Sequence, residues 1–133
     1  MPHKRRTFAR ILFLLYLIAV CFLCFGKFSG SSDLPSYLLG IPLDKIVHFF
    51  MFLPFPILAF FAFDKYTESV GKSLLFAALT CLAGCLLAAG TELVQSRLSY
   101  RSGDPNDFLS DFIAILLGSI LIFFLDIRKQ KKS

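Results

Sequence analysis

Asp44-Lys45-Ile46-Val47-His48-Phe49-Phe50-Met51-Phe52-Leu53-Pro54-Phe55-Pro56-Ile57-Leu58-Ala59-Phe60-Phe61-Ala62-Phe63 opens on two charges and then reaches Phe63 with His48 as its one ionisable side chain. A helix needs about 20 mostly apolar residues to cross the hydrocarbon core of a bilayer, and this stretch meets that length. Pro54 and Pro56 interrupt it. Each removes a backbone donor and crowds the carbonyl four residues earlier, here those of Phe50 and Phe52. The pair predicts a kink at mid-membrane depth, with neighbouring helices repairing the lost hydrogen bonds. Shape, rather than chemistry, is the expected role of the two prolines.

Working outward, three further segments have the same character: Phe8 to Phe25, Ser73 to Leu98 and Phe108 to Leu125. Arg10 can snorkel from the first to the headgroups. The last is uncharged only from Phe112 to Leu125, so it spans comfortably when Ser110 and Asp111 lie inside the helix near the interface. Gly26 to Leu43, with Ser29-Gly30-Ser31-Ser32, Pro35 and Pro42, reads as a polar connection. Asp64 to Gly71 and Ser99 to Asn106 read as shorter turns. The first segment has a signal peptide's basic start, but no A-x-A site follows and its apolar run is long, so a retained span is expected.

The composition agrees. Of 133 residues, 56% are hydrophobic and 17% charged, whereas soluble domains carry about 25% charged residues. A small soluble domain leaves too much of its surface wet to hide so much apolar area. The expected fold is an all-α, polytopic membrane protein: one domain over residues 1–133, built as a bundle of four transmembrane helices.

The net charge of +5 comes from residues that flank the spans. Lys4, Arg5, Arg6 and Arg10 precede the first; Lys65 and Lys72 stand between the second and third; Arg128, Lys129, Lys131 and Lys132 end the chain. Lys27, Lys45, Arg97 and Arg101 fall on the opposite side. Ten against four places both termini in the cytoplasm, by the preference of basic loops for that side. No basic, aromatic-interleaved soluble surface exists, so nucleic acid is not an expected partner. Cys21, Cys24, Cys81 and Cys85 all lie within apolar runs, where small buried hydrophobes are the expected reading.

Alternation of direction then brings the start of the second span, the end of the third and the start of the fourth to one face, which the charge count makes the outer one. Five of the nine acids gather there: Asp44, Glu92, Asp104, Asp107 and Asp111. Lys45, His48, Gln95, Arg97 and Arg101 stand beside them. Charge is costly at membrane depth, so such a cluster is a functional-site hypothesis by default. Asp44 and His48 share a helix face, as do Glu92 and Gln95. Asp104, Asp107 and Asp111 follow spacings of three and four. Helix capping explains Asp104 or Asp107 as well as function does; Asp111 lies deeper. His48 and Glu92 are the acid–base candidates. Lys45 and Arg101 either pair with the acids or cradle an anionic headgroup. A metal centre is not expected, because one histidine with hard carboxylates is a loose ligand set.

Asp44-Lys45-Ile46-Val47-His48-Phe49 resembles the D-K-x-x-H-F signature of the VanZ-like family. Glu92-x-x-Gln95, Arg101, Asp104 and Asp107 are similar to its later E-x-x-Q…R…D…D pattern. Asp111 stands where the family commonly has asparagine, and Ala114 where a glycine often follows; Gly118 keeps the next glycine. The resemblance covers nearly the whole chain. It implies a bacterial cytoplasmic-membrane protein of the cell envelope, from a family named for a member linked to resistance to the glycopeptide teicoplanin. It names no cofactor.

Two functions fit. One is a non-enzymatic envelope protein whose outer-face site binds a lipid headgroup, a lipid-linked cell-wall precursor or a lipoglycopeptide drug. In it Lys45 and Arg101 contact anions, and Asp44, Glu92, Asp107 and Asp111 hold them. The other is a membrane-embedded enzyme acting on lipid-linked cell-wall material through His48 and Glu92. Membrane lipids are partners in either case, and the lipid-facing aromatics carry no signal of oligomeric state.

Overall fold

The computed structural model describes residues 3–26, 37–63, 69–100 and 103–132. In chain order it contains α1 (His3–Phe25), β1 (Tyr37–Leu38), β2 (Ile41–Pro42), α2 (Leu43–Phe52), α3 (Pro54–Phe63), α4 (Val70–Arg97) and α5 (Pro105–Gln130). With α2 and α3 taken as one broken span, four helical segments are long and apolar enough to cross a membrane. The chain is a multi-pass, all-α membrane protein. The helices outrun the apolar segments at several ends: α1 begins at His3 rather than Phe8, and α5 runs from Pro105 to Gln130 rather than from Phe108 to Leu125.

Prolines break the second span where the sequence places the kink. Leu53 N–H still reaches the Phe49 carbonyl at 3.0 Å, after which α2 stops and α3 starts at Pro54. α1 braces the break, as Tyr16 donates its hydroxyl at 2.7 Å to the Met51 carbonyl, between the carbonyls of Phe50 and Phe52 that face the prolines. The break rests against α5 at Gly118. A Cβ there would stand 2.9 Å from Pro56 Cγ and 3.2 Å from the Leu53 carbonyl oxygen, so only glycine lets α5 approach this closely. Gly84 of α4 serves the same purpose in a neighbouring layer, where a Cβ would meet Ile115 Cγ2 at 2.9 Å. Small residues bring membrane helices together because packing, rather than hydrophobic expulsion, drives their association.

The α4–α5 pair forms the most extensive helix contact; α2 and α3 lie along α5, and α1 along α3 and α4. The apolar core joins Val20, Cys24, Phe52, Ala88, Ala114 and Ile115. Cys24 is buried, Cys81 and Cys85 half-buried, and Cys21 faces outward, so burial does not account for all four thiols. Two polar clasps fix the direction of the helices. At one end, Gln95 Nε2 donates to the Cys24 carbonyl at 2.9 Å and Tyr100 Oη to the Phe25 carbonyl at 2.7 Å. At the other, Ser73 donates its hydroxyl to buried Asp126, and Gln130 Nε2 to Ser73 Oγ at 2.6 Å. Both ends of the chain therefore lie at one end of the bundle, and the starts of α2 and α5 lie with the ends of α1 and α4 at the other.

A two-residue hairpin, absent from the sequence expectations, leads into α2. Tyr37 pairs with Pro42 and Leu38 with Ile41. Leu39 (φ 53°) and Gly40 (φ 78°) turn between them in the left-handed region that tight hairpins require. Apolar Tyr37, Leu38, Leu39 and Ile41 are exposed beside the start of α2.

Candidate functional site

Lys45 is the hub. One turn into α2, its ammonium bonds Asp44 at 3.2 Å and makes short contacts to Asp104 and Asp107. Asp104 does two things at once. Its Oδ1 accepts the Asn106 N–H at 2.9 Å, capping α5, and its Oδ2 faces Lys45. Pro105 at the first helical position needs no such acceptor, which suits the cap. Lys45, and after it the Asn106 amide, hold the Asp104 carboxyl below the ordinary carboxylate range. Asp44, Asp104 and Asp107 offer oxygens within 4.8 Å of one another, a spacing that would also suit a divalent cation.

Deeper by a turn, His48 Nδ1 lies 3.0 Å from Asp111 Oδ1, and its Nε2 lies 3.5 Å from Asp107 Oδ2. Asp111 is fully buried and its second oxygen has no hydrogen-bond partner among the described residues. An imidazole held between two carboxylates has a fixed ring plane, and it can pass a proton to or from a group that approaches Nε2 beside Asp107. Glu92 closes the third side from α4, its Oε1 accepting the Asp104 N–H while its Oε2 is buried with no partner among the described residues.

Seven of the ten residues singled out in the sequence thus gather in one place: Asp44, Lys45, His48, Glu92, Asp104, Asp107 and Asp111, while Arg97 is exposed in the last turn of α4. Gln95 is buried at the same end but turns to α1, where it holds the Cys24 carbonyl. Arg101 lies outside the described residues. Among the described residues five carboxylates surround one ammonium and one imidazole, so the cluster is rich in acceptors.

Beside Glu92 an apolar groove of about 420 Å³ opens between the end of α4 and the start of α5, walled by Ala89, Leu93, Pro105 and Phe108. Gly103 lets the connection pass close to α4, since a Cβ there would stand 2.6 Å from Ser96 Cβ. Nothing in the sequence marks Ala89, Leu93 or Phe108 apart from other lipid-facing residues. Asp126 and its partner Ser73 were also overlooked. The signal was an acid one residue past the last apolar position, Leu125, at the level where the third span begins.

Residues 13–126 match the VanZ/LLP1 family. The chain belongs to the VanZ/LLP1 family. An uncharacterized protein of the fission yeast Schizosaccharomyces pombe is 35% identical to it over 95 residues, which are 71% of this chain and 53% of the yeast protein. The chain thus spans about half the length of the curated relative it matches. No solved structure matches it. VanZ/LLP1 membership extends across the D-K-x-x-H-F opening, the Glu92 region and the aspartates of α5, and so over the whole cluster.

Proposed function

We propose that the protein binds the polar head of a membrane amphiphile at the Lys45–His48 cluster, with an apolar chain of that ligand lying in the groove beside Glu92. One observation carries this: a dense set of acceptors and an apolar channel of about 420 Å³ share the Glu92 side chain as their common wall. Pockets that hold amphiphiles combine a mostly apolar lining with a few placed polar groups. The excess of carboxylates favours a head bearing ammonium or hydroxyl donors. The family has a relative in fission yeast, so the ligand need not be a bacterial cell-wall precursor. In a bacterial host the site would face outward with both termini in the cytoplasm. Occupancy of a headgroup there would alter susceptibility to teicoplanin-type drugs.

The test is a melting curve of detergent-purified protein titrated with phosphatidylethanolamine, phosphatidylglycerol and a polyprenyl phosphate. Stabilisation by one of them, reduced in Glu92→Gln and in Leu93→Trp, which fills the groove, is the expected result. Equal stabilisation of wild type and both variants removes the reading.

The enzymatic alternative draws on the 3.0 Å contact between His48 and Asp111, an arrangement that orients a general base. Turnover of a lipid-linked substrate that disappears in His48→Ala, while binding persists, would favour it.

A further inference from the structure

A second groove lies at the opposite end of the bundle, remote from the Lys45 cluster. It runs between the first turns of α1 and the middle of α3, with a volume of about 410 Å³, walled by Phe8, Ala9, Leu12, Leu58 and Phe61 and rimmed by Lys4 and Arg5. Helical spacing builds it. Lys4, Phe8 and Leu12 follow one another at single turns, as do Arg5 and Ala9, so each cation stands directly above an apolar position on the same face. Ala9 sets the depth: its small side chain is buried in the floor while Phe8 on one side is 67% exposed.

The geometry points to an anionic glycerophospholipid as the occupant, its acyl chain in the Ala9–Leu58 trough and its phosphate between Lys4 and Arg5. Three observations converge. The lining is apolar at hydrocarbon depth and cationic at headgroup depth, which is the polarity profile of one lipid molecule. Among the described residues neither Lys4 nor Arg5 forms an ion pair, in contrast to Lys45, which is held by three carboxylates. Arginine offers two parallel donors to a phosphate, and lysine adds a compact charge. Arg128, Lys129, Lys131 and Lys132 end α5 at the same end of the bundle, and their field adds to the attraction for anions.

Native mass spectrometry of the full chain, released from mixed micelles of phosphatidylglycerol and phosphatidylcholine, tests this. Wild type is expected to retain phosphatidylglycerol over phosphatidylcholine. The double variant Lys4→Gln/Arg5→Gln should weaken that retention by about tenfold. Arg128→Gln/Lys131→Gln removes as much charge from the same end but only its longer-range field, and should lower retention far less. Equal loss in both double variants means a diffuse basic surface and overturns the site, as does equal retention of the two lipids by wild type. Ala9→Phe fills the floor without altering charge and should also lower retention; unchanged retention in a folded Ala9→Phe protein overturns the groove as the seat. The loss in Lys4→Gln/Arg5→Gln should be as large in a Glu92→Gln background, which separates this site from the one at the other end.

Discussion

Lys45 holds three carboxylates that would otherwise repel one another, and two of them, Asp104 and Asp107, belong to the beginning of another helix. Its removal leaves Asp107, 7% exposed, without its cation. Breaking a fully buried pair costs about 3–5 kcal/mol; the exposure of Asp44 and Asp104 reduces the effect, so Lys45→Met should destabilise by about 2 kcal/mol in denaturant titration. Lys45→Arg should recover some of it. Asp104 gives a pH dependence with a definite sign. A carboxylate held below its unfolded value, about 3.9, stabilises the fold above that value and loses the contribution as pH falls through the folded one. Melting temperatures measured from pH 6 to pH 2.5 should fall at the acid end, and Asp104→Asn, which keeps an acceptor for the cap, should flatten that fall. The charged residues of this site were legible in the sequence because ionisable groups stand out against apolar runs and helical spacing assigns them to faces. What spacing could not give was the partner of each. Gln95, three residues from Glu92, serves α1 instead, because the carbonyls at the end of α1 need a donor.

At the scale of helices, the broken span was legible for a different reason: proline acts on the backbone locally, and its effect needs no knowledge of the neighbours. The bond that braces it did require that knowledge. Tyr16 lies far from the break in sequence and looks like any aromatic in a membrane segment until α1 is packed against α3. Tyr16→Phe should cost about 1 kcal/mol, the scale of one hydrogen bond between membrane helices. Gly118 is the stricter element. Gly118→Leu must push Pro56 and the Leu53 carbonyl away, and over-packing of this kind costs about 1–3 kcal/mol. Steric-trap or denaturant unfolding in micelles should therefore rank Gly118→Leu below Tyr16→Phe. The short hairpin before α2 was hidden because two-residue strands carry too few side chains for an alternating pattern to show.

For the whole molecule, alternation of four spans and the clustering of their polar ends were legible from hydropathy and charge alone. The two apolar grooves were not, since a groove is a relation between helices rather than a property of any one of them. The proposed orientation has a direct check. In a background with the four cysteines replaced by alanine, Ser99→Cys should react with a membrane-impermeant maleimide on intact cells, and reaction only after lysis would reverse the topology. In a bacterial host, a deletion strain carrying His48→Ala or Lys45→Met should match the deletion itself in teicoplanin susceptibility, whereas Arg128→Gln should match wild type. The contact between Tyr16 and Met51 carries a consequence for biogenesis. It joins consecutive hydrophobic segments, so a nascent chain has the donor in the bilayer before the acceptor leaves the ribosome. Until the second segment arrives the first carries an unfilled hydroxyl in hydrocarbon, so docking of the two satisfies that group before the rest of the polypeptide is laid on.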